Sequence, residues 1–236
     1  MSFAQASLAA TILASTFGTY VALSPPNPNP KTNSASTSDS VRGLYLAHEH
    51  STKICLAPIG LLALQTASLA FLYPSIPTNI LRYGPQNGFN ANVITWSSTT
   101  TIPLALILCA GIPLRLVSYA SLGKNFTFAL AEPDRLTTTG IYRYVQHPSY
   151  LGIAILASCN GMLLCRTDGA MSTWAGPQGF RVLQFMAWLF VPLGFSALGV
   201  LIWTRVKEEE RMLQAKFGKE WERWHKATAR FLPGIF

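Results

Sequence analysis

Thr139-Gly-Ile-Tyr-Arg-Tyr-Val-Gln-His-Pro-Ser-Tyr-Leu-Gly152 places aromatic rings, a basic residue, a histidine and a proline between two apolar segments long enough to cross a bilayer. Pro148 biases His147 away from helical dihedrals and suits a first helical position, so a helix begins only after His147. Ser149 and Tyr150 then fall in its first turn, where backbone N–H groups lack intrahelical partners and the helix dipole is positive. Such a terminus suits an anionic or hydrogen-bond-accepting ligand group. Gly140 provides the turn ahead of Tyr142, and Tyr142, Tyr144 and Tyr150 bring flat faces and hydroxyls. Singly, each tyrosine fits an interfacial aromatic belt, and His147 fits a cap or a core residue as well as a ligand contact. The combination points to a site.

Outward from this hinge the chain is apolar. Half of its 236 residues are hydrophobic, 12% are charged and the mean hydropathy is +0.28, which argues against a soluble domain. A bilayer core needs roughly 20 apolar residues per helix. Segments 3–23, 54–73, 102–122, 149–165 and 182–203 meet or approach that length, which predicts an all-α integral membrane protein with about five transmembrane helices. The first has no basic residue ahead of it and no clean small-residue cleavage site before Ser24-Pro-Pro, so it reads as a retained span rather than a signal peptide. The fourth is short and carries Asn160-Gly161 at its middle, which predicts packing against protein. Residues 24–40 are rich in Pro, Asn and Ser and read as a loop, and 79–101 form a second polar connection with turn signals at Tyr83-Gly-Pro and Asn87-Gly.

Basic residues set orientation. One side would carry Lys31, Arg42, Lys53, Lys124, Arg135, Arg143 and the basic tail from Arg205; the other only Arg82, Arg166 and Arg181. The 124–147 connection and the tail therefore share a face, expected to be cytosolic. The net charge of +8 is spread after apolar spans, so it reads as attraction to an anionic leaflet and not to nucleic acid. Cys55, Cys109, Cys159 and Cys165 have no paired ligand spacing, and neither a metal site nor a disulfide framework is expected.

Beyond Trp203, helix formers continue, and Leu213, Phe217, Trp221 and Trp224 mark one apolar stripe. Gly218 predicts a break after Phe217, with a second short helix carrying the two tryptophans as a C-terminal cap. Arg205 and Glu209 project from one helix face, as a simple ion pair would, but three consecutive acids beneath a membrane repel one another. Glu209, beside the apolar stripe, is the one expected to face a cation, and Glu208 and Glu210 are expected in solvent.

Leu122-Gly-Lys-Asn-Phe126, Leu136 through Gly152, Arg205, Glu208-Glu-Glu210, Leu213, Phe217-Gly218 and Leu232-Pro233 together resemble the isoprenylcysteine carboxyl methyltransferase family. The resemblance runs from about Tyr119 to the end, dividing the chain into N-terminal membrane helices and loops (1–118) and a catalytic region (119–236). It implies an endoplasmic-reticulum enzyme that uses S-adenosylmethionine to methylate the carboxylate of a C-terminal prenylated cysteine. The implied cofactor contacts are Asp134, Arg135, Leu136, Thr137, Tyr142, His147, Pro148, Ser149, Tyr150 and Glu209, in a pocket formed with the C-terminal cap. Arg205 would hold the substrate carboxylate. Relatives usually have arginine before the His-Pro pair and often proline after the glycine, where this chain has Gln146 and Ile141; Ala131 falls nearest a glutamine that contributes to the cofactor site in some.

The chemistry fits these residues. A C-terminal carboxylate, with a pKa of about 3.5, is already a nucleophile, so no general base is required. A phospholipid amine methyltransferase would need a base, and Arg205 would repel its cationic acceptor. A nicotinamide-dependent reductase would call for more converging Arg and Lys than 134–150 supplies. A silent membrane scaffold of the same fold is the remaining alternative.

Overall fold

The computed structural model describes residues 2–27 and 50–234. Most of the predicted 24–40 loop, with Lys31 and Arg42, lies outside the described residues. Among these, the regular structure is helical: α1 (Phe3–Leu23), α2 (Ser51–Leu72), the single turn α3 (Thr78–Leu81), α4 (Ser98–Leu106), α5 (Ile112–Leu122), α6 (Pro148–Leu164), α7 (Pro177–Phe217) and α8 (Lys219–Ala227). Four stretches are long and apolar enough to cross a membrane: α1, α2, Ala91–Asn125 and α7. The protein is a multi-pass, all-α membrane protein.

α1 packs along α2 through small residues. Ala9, Ser15, Thr19 and Ala22 on one helix and Ala63, Thr66, Ala67 and Ala70 on the other are buried, which lets the backbones approach closely. The hydroxyls of Ser15, Thr19 and Thr66 donate to carbonyls of their own helices, so none is stranded in an apolar setting.

The predicted 102–122 span is longer than its hydropathy indicated, because Thr100 Oγ1 accepts from the Ser97 N–H and starts α4 at Ser98. A π turn at Ile107–Gly111 joins α4 to α5. Gly111 and Gly152 let α6 close against this helix: a Cβ on Gly152 would stand 2.9 Å from Arg115 Cγ and 3.1 Å from the Gly111 carbonyl oxygen.

α6, at 17 residues, is shorter than the other four and is enclosed by protein as expected. Asn160 Nδ2 donates to Thr19 Oγ1 and to the Leu156 carbonyl, and Gly161 faces the Phe195 ring. α7 overruns the predicted 182–203 segment at both ends. Its 41 residues span about 60 Å, twice a hydrocarbon core, so its charged C-terminal turns must project beyond the membrane.

At the far end of α6 from His147, Asn87 donates to the carbonyls of Ser172 and Ala175 at 2.7 Å each, and Arg166 pairs with Asp168, which also receives Asn90. The 79–101 connection and the 165–176 turn thus close one end of the bundle. The hinge and tail close the other.

Candidate active site

Gly140, at φ 62°, makes the bend that starts a tight turn through Arg143 and drives Tyr142 inward. Burial, with Glu209 nearby, pushes the Tyr142 hydroxyl well above its usual pKa, so it stays a neutral donor. Val145 forms a single parallel bridge to Ala229; Gln146 and His147 donate their N–H groups to the carbonyls of Ala229 and Arg230 at 2.8 and 2.9 Å. His147 then caps α6, with Pro148 at its first position.

The tail arrives by the predicted break. Gly218, at φ 50°, ends α7, and α8 folds back over the hinge. Trp224 Nε1 donates to the Tyr142 carbonyl at 2.8 Å. Gln146 is the latch: its amide nitrogen donates to the carbonyls of His225 and Thr228, and its oxygen accepts from His225 Nδ1 at 2.7 Å. That pattern fixes the Nδ1–H form of His225. Burial beside the stacked Trp221 ring holds the imidazole below its ordinary pKa.

The three acids behave differently from their expected exposure. Glu210 is 6% exposed and binds Arg230 Nε at 2.7 Å and Lys207 Nζ at 2.9 Å. The Glu208 side chain is 10% exposed and lies 3.5 Å from Arg205 Nη1. Glu210 loses solvent because Arg230 of the returning tail replaces water there, and Arg205 on the same helix lies beside Glu208. Glu209 keeps an exposed edge and accepts from the Tyr150 hydroxyl at 2.9 Å. The buried His147 ring lies between Glu209 and Glu210, at 3.9 and 3.7 Å, and neither ring nitrogen is within hydrogen-bond distance of a partner.

His147, Tyr150 and Glu209 border a cavity of about 420 Å³, within the ordinary range for a small-molecule site. Of the residues anticipated from sequence, Arg135, Leu136, Thr137, Tyr142, His147, Ser149, Tyr150, Arg205 and Glu209 line it. Two do not. Pro148 is buried as the first residue of α6, and Asp134 is an exposed carboxylate paired with Lys124 at 2.8 Å, which holds it below the usual carboxylate range. Phe126, Phe128, Trp224 and above all Arg115 line the cavity without having been anticipated. Arg115 had a legible signal, a charge inside an apolar span. Arg205 is 5% exposed, and its Nη2 donates to the Phe128 carbonyl at 2.8 Å. Its cavity wall continues along α7 as Leu198, Leu201 and Ile202, the apolar turns inside the membrane.

Fold and cavity define a helical membrane protein with a largely apolar cavity, carrying arginines and the Glu209 carboxylate, where an apolar helix leaves the bilayer. Residues 104–174 match the model of the isoprenylcysteine carboxyl methyltransferase (ICMT) family, and this region of the chain is similar to that family. The match stops before Arg205. The matches to relatives are longer: the protein-S-isoprenylcysteine O-methyltransferase of Schizosaccharomyces pombe is 31% identical over 132 residues, 54% of this chain and 47% of the relative. That of Dictyostelium discoideum is 28% identical over 135 residues, 56% of this chain and 48% of the relative. A probable protein-S-isoprenylcysteine O-methyltransferase of Oryza sativa subsp. indica is 24% identical over 138 residues, covering 55% and 59%. The chain thus spans about half the length of the first two curated relatives. No solved structure matches it.

Proposed function

We propose that the protein transfers a methyl group from S-adenosylmethionine to the C-terminal carboxylate of a prenylated cysteine, at the cytosolic face of the endoplasmic-reticulum membrane. The observation that carries this reading is Arg205 and Glu209, opposite in charge, on the wall of one cavity that continues into the apolar turns of α7. The family match and the relatives' names support the same reading.

The residues fit the cofactor's chemistry. Glu209, oriented by Tyr150, supplies a carboxylate for its ammonium or sulfonium side, and Tyr142, Phe126 and Trp224 supply rings for a flat heterocycle. On this reading the His147 ring, on the cavity wall beside Glu209, offers a nitrogen to a polar group of the ligand. When bound, the cofactor contributes a methyl group already activated by the sulfonium charge.

The chain's own work is placement. Arg205, held by the Phe128 carbonyl and Glu208, presents a guanidinium that grips a carboxylate while leaving it nucleophilic. Alignment of this kind supplies about 7–11 kcal/mol. Leu198, Leu201 and Ile202 offer the prenyl chain an apolar path from the bilayer, and closure of these walls excludes water from the carboxylate. A phospholipid amine acceptor would bring a second cation to a buried arginine.

The test is an acceptor panel with labelled S-adenosylmethionine and membranes containing the chain. Methylation of a farnesylated or geranylgeranylated cysteine analogue supports the reading. Transfer to an ethanolamine lipid alone favours the amine alternative, and transfer to none favours a silent scaffold.

A further inference from the structure

Arg115 sits in α5 at 2% exposure and lines the same cavity as Arg205 and Glu209. Its Nε donates to the Ala22 carbonyl at 2.9 Å. One terminal nitrogen donates to Ser149 Oγ, and the other to the Tyr119 hydroxyl, which in turn donates to Ala22. The rings of Tyr119, Phe126 and Phe128 lie 4.8, 5.5 and 5.5 Å from its guanidinium carbon. Gly152 leaves room for its stem, so α6 closes over it.

Every one of these partners is neutral. Among the described residues, no carboxylate lies within ion-pair distance of Arg115, whereas Arg205 has Glu208 beside it. An arginine keeps its proton, and a buried charge is costly unless an opposite charge meets it. Hydroxyls and ring faces offset part of that cost. Each terminal nitrogen still carries a further N–H, and the Ser149 oxygen, having accepted from Arg115, keeps its own O–H to donate. With no described carboxylate beside it, Arg115 lies open to an anion held in the cavity that it lines. If the cavity holds a methyl donor and a prenylcysteine, each brings one carboxylate, and the cavity contains two buried arginines.

We propose that Arg115, with the Ser149 hydroxyl it orients, binds a ligand carboxylate, either that of the methyl donor's amino-acid end or that of the prenylcysteine. This inference rests on the methyl-transfer reading. The two sources share one chemistry and are separated by experiment.

The full chain in lipid nanodiscs is titrated with S-adenosylhomocysteine and its carboxamide, and with N-acetyl-S-farnesylcysteine and its carboxamide. Arg115→Gln should weaken one of the two acids by about tenfold or more while leaving the matching carboxamide nearly unchanged, because a charge-assisted pair is lost. The acid affected identifies the source. Equal losses for an acid and its carboxamide, or no loss for either acid, overturn the assignment. If Arg115→Gln does not fold, an Arg205→Gln chain decides: one acid must still bind about tenfold more tightly than its carboxamide, and loss of both preferences overturns the assignment. Failure of the wild-type chain to bind either acid removes the methyl-transfer reading and this inference with it; binding that ignores Arg115 removes this inference alone.

Discussion

The Tyr150 hydroxyl donates to Glu209 Oε2 at 2.9 Å, joining the first turn of α6 to the emerging end of α7 across 59 positions of sequence. Glu209 is held in place by a half-buried tyrosine. Tyr150→Phe removes the bond and leaves the ring. It should weaken binding of S-adenosylhomocysteine by about tenfold, the worth of one hydrogen bond to a charged group. Calorimetric titration of the detergent-solubilised variant checks this, with thermal unfolding as the control for folding.

Arg205→Lys should keep the charge and lose the planar fork that positions a carboxylate. Methyl transfer to a farnesylcysteine analogue should fall about a hundredfold, while affinity for S-adenosylhomocysteine changes little. Arg205→Ala is less clean, since it also removes the guanidinium 3.5 Å from the poorly exposed Glu208.

Glu210 holds Arg230 and Lys207 together and so ties the last strand of tail to α7. Glu210→Gln should destabilise the cap by about 1–3 kcal/mol, less than for a fully buried ion pair because Arg230 and Lys207 stay partly in solvent. Limited proteolysis should then release fragments cut after Phe217 faster than in the wild type.

His225 gives the cap a pH dependence. Its folded pKa lies below the ordinary 6.5 because burial disfavours the imidazolium. The unfolded chain therefore takes up the proton at a higher pH than the folded one. His225's contribution is full above about pH 6.5 and is lost as the pH falls from there through the folded value. Protonation also supplies a donor where the Nε2 lone pair stood. Tm measured from pH 8 to pH 5 should fall, and the fall should shrink in His225→Gln.

Gly152→Ala places a methyl 2.9 Å from Arg115 Cγ. The close crossing of α5 and α6 must open, at a cost of about 1–3 kcal/mol. A lowered Tm together with weaker ligand binding is expected, because Arg115 and Ser149 move apart.

Hydropathy, the His147-Pro148 pair and the glycines at 140 and 218 determined the helices, the hinge and the break in the tail, since each acts through local backbone preference or burial in lipid. Charge placement also put hinge and tail on one face, and nine of the anticipated residues meet at one cavity there. Only the tertiary structure decided which charges are used. Glu210 loses solvent to Arg230 of the returning tail, Glu208 is held against Arg205 of its own helix, Asp134 turns outward to Lys124, and Gln146 is consumed as a latch for His225 and Thr228. Arg115 faces the cavity because two glycines let α6 approach α5 closely, a contact that depends on the crossing of distant segments and leaves no periodic trace along the chain.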